Sequence, residues 1–231
     1  TPAFSFSTLA IQEAFVWMAV IAIIMGSLLA LSQRRLKKIF VYIIVAEVGY
    51  MVGGFWLGNR PGITGSILHL VNDAAMTLCM FLAAGSIIHK QGGDRMEDLH
   101  GLFRKMPFSM ACLVIGALSI IGVPPTCGFF SKWYLISGAI AAGHHGFVAA
   151  LLFSSLINVI IFFKIFEVCY FEPPKTHHKD QPDQKKIDGG ETPAGMLIPL
   201  MLVAAALIVM GIFTNDIVAR VIDLAIPMGI T

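Results

Sequence analysis

Charge is the scarcest property of this 231-residue chain: Asp, Glu, Lys and Arg together make up 13% of it, about half the share of a typical soluble domain. That shortage excludes a water-exposed globule, and a formal net charge of +2 provides no basic surface for nucleic acid. Cysteine is sparse too. Cys79, Cys112, Cys127 and Cys169 are 33, 15 and 42 positions apart, which fits no CxxC-type zinc, haem or iron–sulfur spacing. They read as small buried hydrophobes, and no cofactor is expected on the chain. The pairs His144-His145 and His177-His178 make no convincing metal site, because adjacent residues on a helix point about 100° apart and both pairs fall in loop-like sequence. No signal peptide is expected, since the first apolar segment is too long for a signal core and runs into a basic loop.

What the chain has in excess is hydrocarbon. Apolar residues make up 57% of it and the mean hydropathy is +0.80. Apolar runs repeatedly reach about 20 residues, the length that crosses the ~30 Å hydrocarbon layer as helix. The fold class expected is therefore all-α, a polytopic transmembrane bundle forming one domain over 1–231, with six spans near 9–31, 38–58, 63–88, 107–140, 147–170 and 194–214. The proline-rich polar stretch 172–193 reads as a loop. In the tail, 215–231, Ile217-Val218, Val221-Ile222 and Leu224-Ala225 alternate with Asp216, Arg220 and Asp223, the pattern of a short amphipathic helix at the membrane surface or of a frayed end.

Orientation follows from the cations. Twelve of the 16 Lys and Arg residues sit in three alternate loops: Arg34, Arg35, Lys37 and Lys38, then Lys90, Arg95, Arg104 and Lys105, then Lys175, Lys179, Lys185 and Lys186. The positive-inside bias places these loops in the cytoplasm and both termini outside, in a bacterial or archaeal plasma membrane.

The fourth apolar segment is too long for one untilted crossing, about 50 Å at 1.5 Å per residue. Gly122-Val123-Pro124-Pro125 lies near its middle. Two prolines remove two backbone donors and leave carbonyls unpaired where there is no water. Such a break survives only where it is buried in protein or lines a hydrated cavity, and broken helices mark ion paths. A simple proline kink is the alternative.

Ionisable side chains in the spans cost at least ~2.5–3.5 kcal/mol near the bilayer centre, so each needs a partner, a wet cavity or a function. Six qualify: Glu47, His69, Asp73, Lys132, Lys164 and Glu167. His69 and Asp73 are i and i+4 with Asn72 between them, a polar stripe suited to a proton relay or to gluing helices together. Lys164 and Glu167 are i and i+3, so they either neutralise each other near a helix end, with the lysine snorkelling, or join the path. Lys132 follows the break with no opposite charge near it in sequence, so its partner must come from another helix. Burial penalises the charged form of every such group, and a chain of them joined by water conducts protons.

These residues resemble a known family, the proton-conducting antiporter-like subunits of respiratory complex I, membrane-bound hydrogenases and Mrp-type sodium/proton antiporters. SQRRLKKIFVYIIVAEVGY looks like the family's basic loop and following helix, HLVNDAAMTLCMFLAAG like its broken-helix histidine motif, MEDLHGLFRKMP like its cytoplasmic linker, and IIGVPPTCGFFSKWYL like its discontinuous helix, nearest in style to the Mrp D-type subunit. The resemblance spans about Thr8 to Phe213 and covers the C-terminal half of a family member: one five-helix inverted repeat plus one further helix. It implies that Lys132 is the proton-exchanging lysine and His69 the first histidine of the motif. It also implies membrane partners, among them a chain or upstream segment supplying the other repeat. Three positions depart from the pattern: Asp73 replaces a histidine, Thr77 a lysine, and Glu47 a glutamine or histidine. The exchange of basic for acidic groups is compatible with retuned conduction, with Na⁺ or K⁺ coordination, or with lost conduction.

The function expected is proton or Na⁺/proton translocation within a multi-subunit membrane complex, through Lys132, His69, Asp73 and Glu47, with Lys164 and Glu167 as further candidates and the break at Gly122, Pro124 and Pro125. The alternatives are a membrane-arm subunit of a redox-driven oxidoreductase, with iron–sulfur or flavin partner subunits, and a structural subunit. No active site of an enzyme is visible on the chain.

Overall fold

The computed structural model describes residues 9–170 and 190–222, together with Leu224 and Ile226. Most of the expected loop at 172–193, including His177-His178, and Asp223, Ala225 and 227–231 of the expected tail lie outside the described residues.

The described residues form helices joined by short turns: α1 (Leu9–Leu31), α2 (Leu36–Trp56), α3 (Arg60–Gln91), a 3₁₀ turn at Met96–Asp98, α4 (Leu102–Lys105), α5 (Pro107–Ile121), α6 (Cys127–Ala141), α7 (His145–Tyr170), α8 (Ala194–Ile212) and α9 (Thr214–Ile217), which passes into a π-type turn at Val218–Ile222. Among the described residues, α1, α2, α3, α7 and α8 are long and apolar enough to cross a membrane. Helices α5 and α6 have 15 residues each, about 22 Å apiece, so only the two end to end span the layer. The long fourth segment is thus a broken helix and not a kinked one. Helix α3, whose residues resemble the broken-helix histidine motif, runs unbroken, as its reading as one span implies. Its one proline stands in the first turn, where a missing N–H costs nothing.

The ends of the helices are tied to one another. Asn59 caps α3 by accepting from the Gly62 amide at 2.9 Å, and the same side chain donates to the Gly138 carbonyl near the end of α6 at 2.7 Å. Helix α5 starts at Pro107, and its free amides are met from outside: Glu191, just ahead of α8, accepts from the backbone of Phe108 at 3.0 Å and from the Ser109 hydroxyl at 2.5 Å. On the side bearing the basic loops, a short antiparallel contact joins Arg35 to Arg95: Leu36 N–H donates to Asp94 (2.7 Å) and Met96 N–H to Arg34 (2.9 Å).

Helices α3 and α6 approach through glycines, Gly62 against Gly138 and Gly65 against Leu135, with no room for a larger side chain. The large core, with Met80, Leu113, Phe162 and Leu207, fills the space among α2, α3, α5, α7 and α8. A second core, with Ile23, Tyr50 and Phe147, joins α1, α2, α6 and α7. The outward faces are apolar as well, as hydrocarbon contact requires: Leu70, Leu152, Phe163 and Leu202 are exposed. In the tail, Val218, Ile222 and Ile226 pack on Ile63 and Leu68 of α3, while Asp216 and Arg220 face outward 3.7 Å apart. Part of the apolar pattern therefore covers protein, while Val221 and Leu224 are exposed.

Candidate functional site

The site grows out of the break. Helix α5 stops at Gly122, whose φ of 90° suits a residue without Cβ. Gly122 and Val123 N–H both return to the Leu118 carbonyl at 3.0 Å, and Thr126 turns the chain into α6 by donating its hydroxyl to Val123 at 2.6 Å. Pro124 and Pro125 occupy the turn itself. Beside it, the Pro125 carbonyl and Thr126 press against Gly211 of α8, where a side chain would collide with backbone.

The α5 carbonyls left over at the break are taken by Lys132. Its ammonium donates to Ile120 at 2.5 Å, to Ile121 at 3.3 Å and to the Ser155 hydroxyl of α7 at 3.2 Å, and it is only 6% exposed. The C-terminal end of a helix carries partial negative charge, so the cation sits where the backbone is most electronegative. It also lies 5.3 Å from the centre of the Tyr50 ring, a cation–π distance. The partner expected from another helix is thus the end of α5 together with α7.

His69 also packs against Tyr50, with ring centres 5.3 Å apart, and its Nδ1 is 2.9 Å from the hydroxyl of Ser131, the neighbour of Lys132. The Ser131 hydroxyl also lies 3.2 Å from the Gly128 carbonyl, and His69 Nε2 is buried without a hydrogen-bond partner. Asn72 ties α3 to the start of α6 through the Cys127 carbonyl at 2.8 Å. Here the two readings of the stripe divide by residue: Asn72 holds helices together, whereas Asp73 meets Glu47 of α2 and accepts from Thr77 at 3.3 Å.

Glu47 is 1% exposed; no hydroxyl, amide or ammonium donates to its oxygens, and the group that meets its carboxyl is that of Asp73. Its carboxylate lies within Coulombic reach of Asp73 and Lys132. It also borders a small cavity of about 10 Å³ shared with Thr77 and Ile120, room for about one water. Sequence reasoning missed a third group. The Tyr50 hydroxyl donates to Ser154 at 2.6 Å, the Ser154 oxygen is 2.6 Å from that of Ser27, and Ser27 donates to the Ile23 carbonyl at 2.7 Å. Hydroxyls inside apolar spans attract little notice because serine can bond its own helix; the available signal was their number in otherwise hydrocarbon segments.

Lys164 and Glu167 are not part of this cluster. Both are exposed on α7 and form no ion pair with each other. The i, i+3 spacing placed them on one face, but that face turns outward near the helix end, where a long side chain reaches water without a partner. Among the described residues no group of His, Cys, Asp and Glu is arranged to hold a metal.

A helical membrane bundle with a helix broken at a proline turn, a buried lysine beside the break and further ionisable groups around it has the features that mark ion paths in membrane proteins. The chain belongs to the family described as NADH:quinone oxidoreductase/Mrp antiporter, TM, which its residues 1–158 match. It is 38% identical over 215 residues to NADH-quinone oxidoreductase subunit N of Desulforudis audaxviator, covering 91% of this chain and 43% of that protein. It is 30% identical over 179 residues to a Staphylococcus aureus protein named as antiporter subunit mnhD2, covering 76% and 36%. The structure of the membrane-bound sulfane sulfur reductase, an archaeal respiratory membrane complex, contains a chain that superposes with a TM-score of 0.78 at 27% identity, covering 90% of this chain and 40% of that one. This chain is therefore an integral membrane protein of that family, and it spans about two fifths of the length of the curated relatives it matches.

Proposed function

We propose that this chain carries part of a proton path, or of a coupled Na⁺/proton path, in a multi-subunit membrane complex. The observation that carries the reading is the place of Lys132: a buried cation held by the open carbonyls of a broken helix, with His69 reached through Ser131, and Glu47 and Asp73 within range of its charge. Lys132 takes up a proton from the hydrated interior and releases it when a change of charge nearby alters its affinity. Glu47, Asp73 and His69 pass it on, with a water in the cavity beside Glu47 bridging toward Thr77. The basic loops face the cytoplasm, and the remainder of the path comes from sequence beyond these 231 residues.

The test is proton uptake into vesicles bearing the assembled complex, wild type against Lys132→Met. Loss of uptake with normal assembly is expected. Unchanged uptake at normal assembly removes Lys132 from the path.

A second reading concerns the energy source. The identity to subunit N and the match to a chain of a respiratory complex favour a redox-driven membrane arm over a free-standing antiporter. Gentle isolation of the assembly separates the two: copurifying iron–sulfur or flavin subunits support the redox arm, and membrane subunits alone support the antiporter.

A further inference from the structure

Where α1 gives way to α2, side chains of like charge are gathered at one place. The antiparallel contact of Arg35 with Arg95 sets Arg34, Arg35 and Arg95 around a cavity of about 470 Å³, whose other wall is Lys164 and Val168 of α7 and which also includes the buried His100. Asp94 pairs with Arg35 at 2.9 Å, and Glu97 is the acidic residue of the wall. Among the described residues no carboxylate pairs with Arg34, Arg95 or Lys164. Cations gathered this way repel one another, and an anion in the cavity relieves that repulsion.

The surroundings say which anion. Lys164 lies about 9 Å, six residues, from the end of α7, so the cavity sits at the boundary between hydrocarbon and water. Below it the same helix face exposes Ile160 and then Leu156, about 6 and 12 Å deeper. A polar mouth of arginine forks above an exposed apolar stripe matches a phosphodiester that carries an acyl chain, and the planar guanidinium suits paired phosphate oxygens. We propose that this cavity binds the phosphate headgroup of an anionic membrane lipid, with its acyl chain lying along Ile160 and Leu156 of α7. A free phosphate ion shares the headgroup chemistry but makes no use of the stripe. The proposal does not rest on the ion path.

The test uses the assembly containing the full chain, purified in neutral detergent and titrated with phosphatidylglycerol, phosphatidylcholine or inorganic phosphate, with bound lipid read by native mass spectrometry. Phosphatidylglycerol is expected to be retained in preference to phosphatidylcholine. The double variant Arg34→Gln/Arg95→Gln, which spares the Arg35–Asp94 pair, is expected to weaken that retention about tenfold or more, and Lys105→Gln, on the same side but outside the cavity, to leave it unchanged. Should the double variant fail to assemble, Lys164→Gln decides the matter by the same readout. Equal retention of both lipids, or retention indifferent to these variants, overturns the proposal. Inorganic phosphate displacing phosphatidylglycerol at equal concentration reassigns the cavity to a soluble anion and overturns the lipid. In native membranes, a photoreactive residue at position 164 that captures polypeptide and no lipid overturns it in favour of a subunit contact.

Discussion

The ammonium of Lys132 lies on the carbonyl of Ile120, a residue twelve positions earlier in the chain and on the opposite side of the proline turn. One side chain therefore performs two tasks, satisfying the open end of α5 and presenting a charge to α2 and α3. Lys132→Met should reveal both. Leaving the Ile120 and Ile121 carbonyls unpaired is expected to cost about 1–3 kcal/mol of stability, whereas Lys132→Gln keeps a donor and should recover part of it. Thermal unfolding of the two variants in detergent measures the difference, and equal midpoints would show that the lysine does not cap the break.

Glu47 behaves in the opposite sense. A buried carboxyl set against that of Asp73, with no hydroxyl, amide or ammonium donating to it, destabilises the fold. Glu47→Gln, and more so Glu47→Leu, is expected to leave the unfolding midpoint unchanged or raised while proton uptake falls, the trade expected of a residue kept for its chemistry. A lowered midpoint with full uptake would mark it as structural.

Tyr50 separates ring from hydroxyl. Tyr50→Phe keeps the face presented to Lys132 and His69 but breaks the link to Ser154, at an expected cost of about 1 kcal/mol. Tyr50→Leu removes the ring as well and should cost about 2 kcal/mol or more. If uptake follows the ring, Phe retains it and Leu does not; if it follows the hydroxyl chain, both lose it.

Gly211 meets the carbonyl of Pro125 and the backbone of Thr126. Gly211→Val must push α8 away from the turn, with an expected loss of about 1–3 kcal/mol, and it should weaken proton uptake although position 211 carries no charge. Gly195, at the other end of α8, has nothing within 4 Å of an added Cβ, so Gly195→Ala serves as the neutral control.

Much of this was legible from the residue pattern, and the reason is the solvent. Hydrocarbon forces helices, makes long apolar runs unambiguous and turns Gly122-Val123-Pro124-Pro125 into a break, because no strand or loop could satisfy the backbone there. The same economy of charge pointed to Lys132, His69, Asp73 and Glu47, which the fold gathers around one centre. It failed for Lys164 and Glu167, since periodicity gives a shared face but not whether that face turns inward, and near a helix end exposure costs little. It failed also for Tyr50, Ser27 and Ser154, which lie on three different helices and become a chain only through packing.

The clamp formed by Asn59 has a mechanical side. It grips α6 at Gly138, near one end of a 15-residue rod whose other end meets the turn at Pro124-Pro125. Asn59 is thus a fulcrum, and α6 a lever whose moving arm carries Ser131 and Lys132. A tilt of about 5° displaces Cys127, eleven residues from the fulcrum, by about 1.5 Å. A displacement of that size would lengthen the Asn72–Cys127 bond beyond use, while Ser131 and Lys132, nearer the fulcrum, would move about half as far.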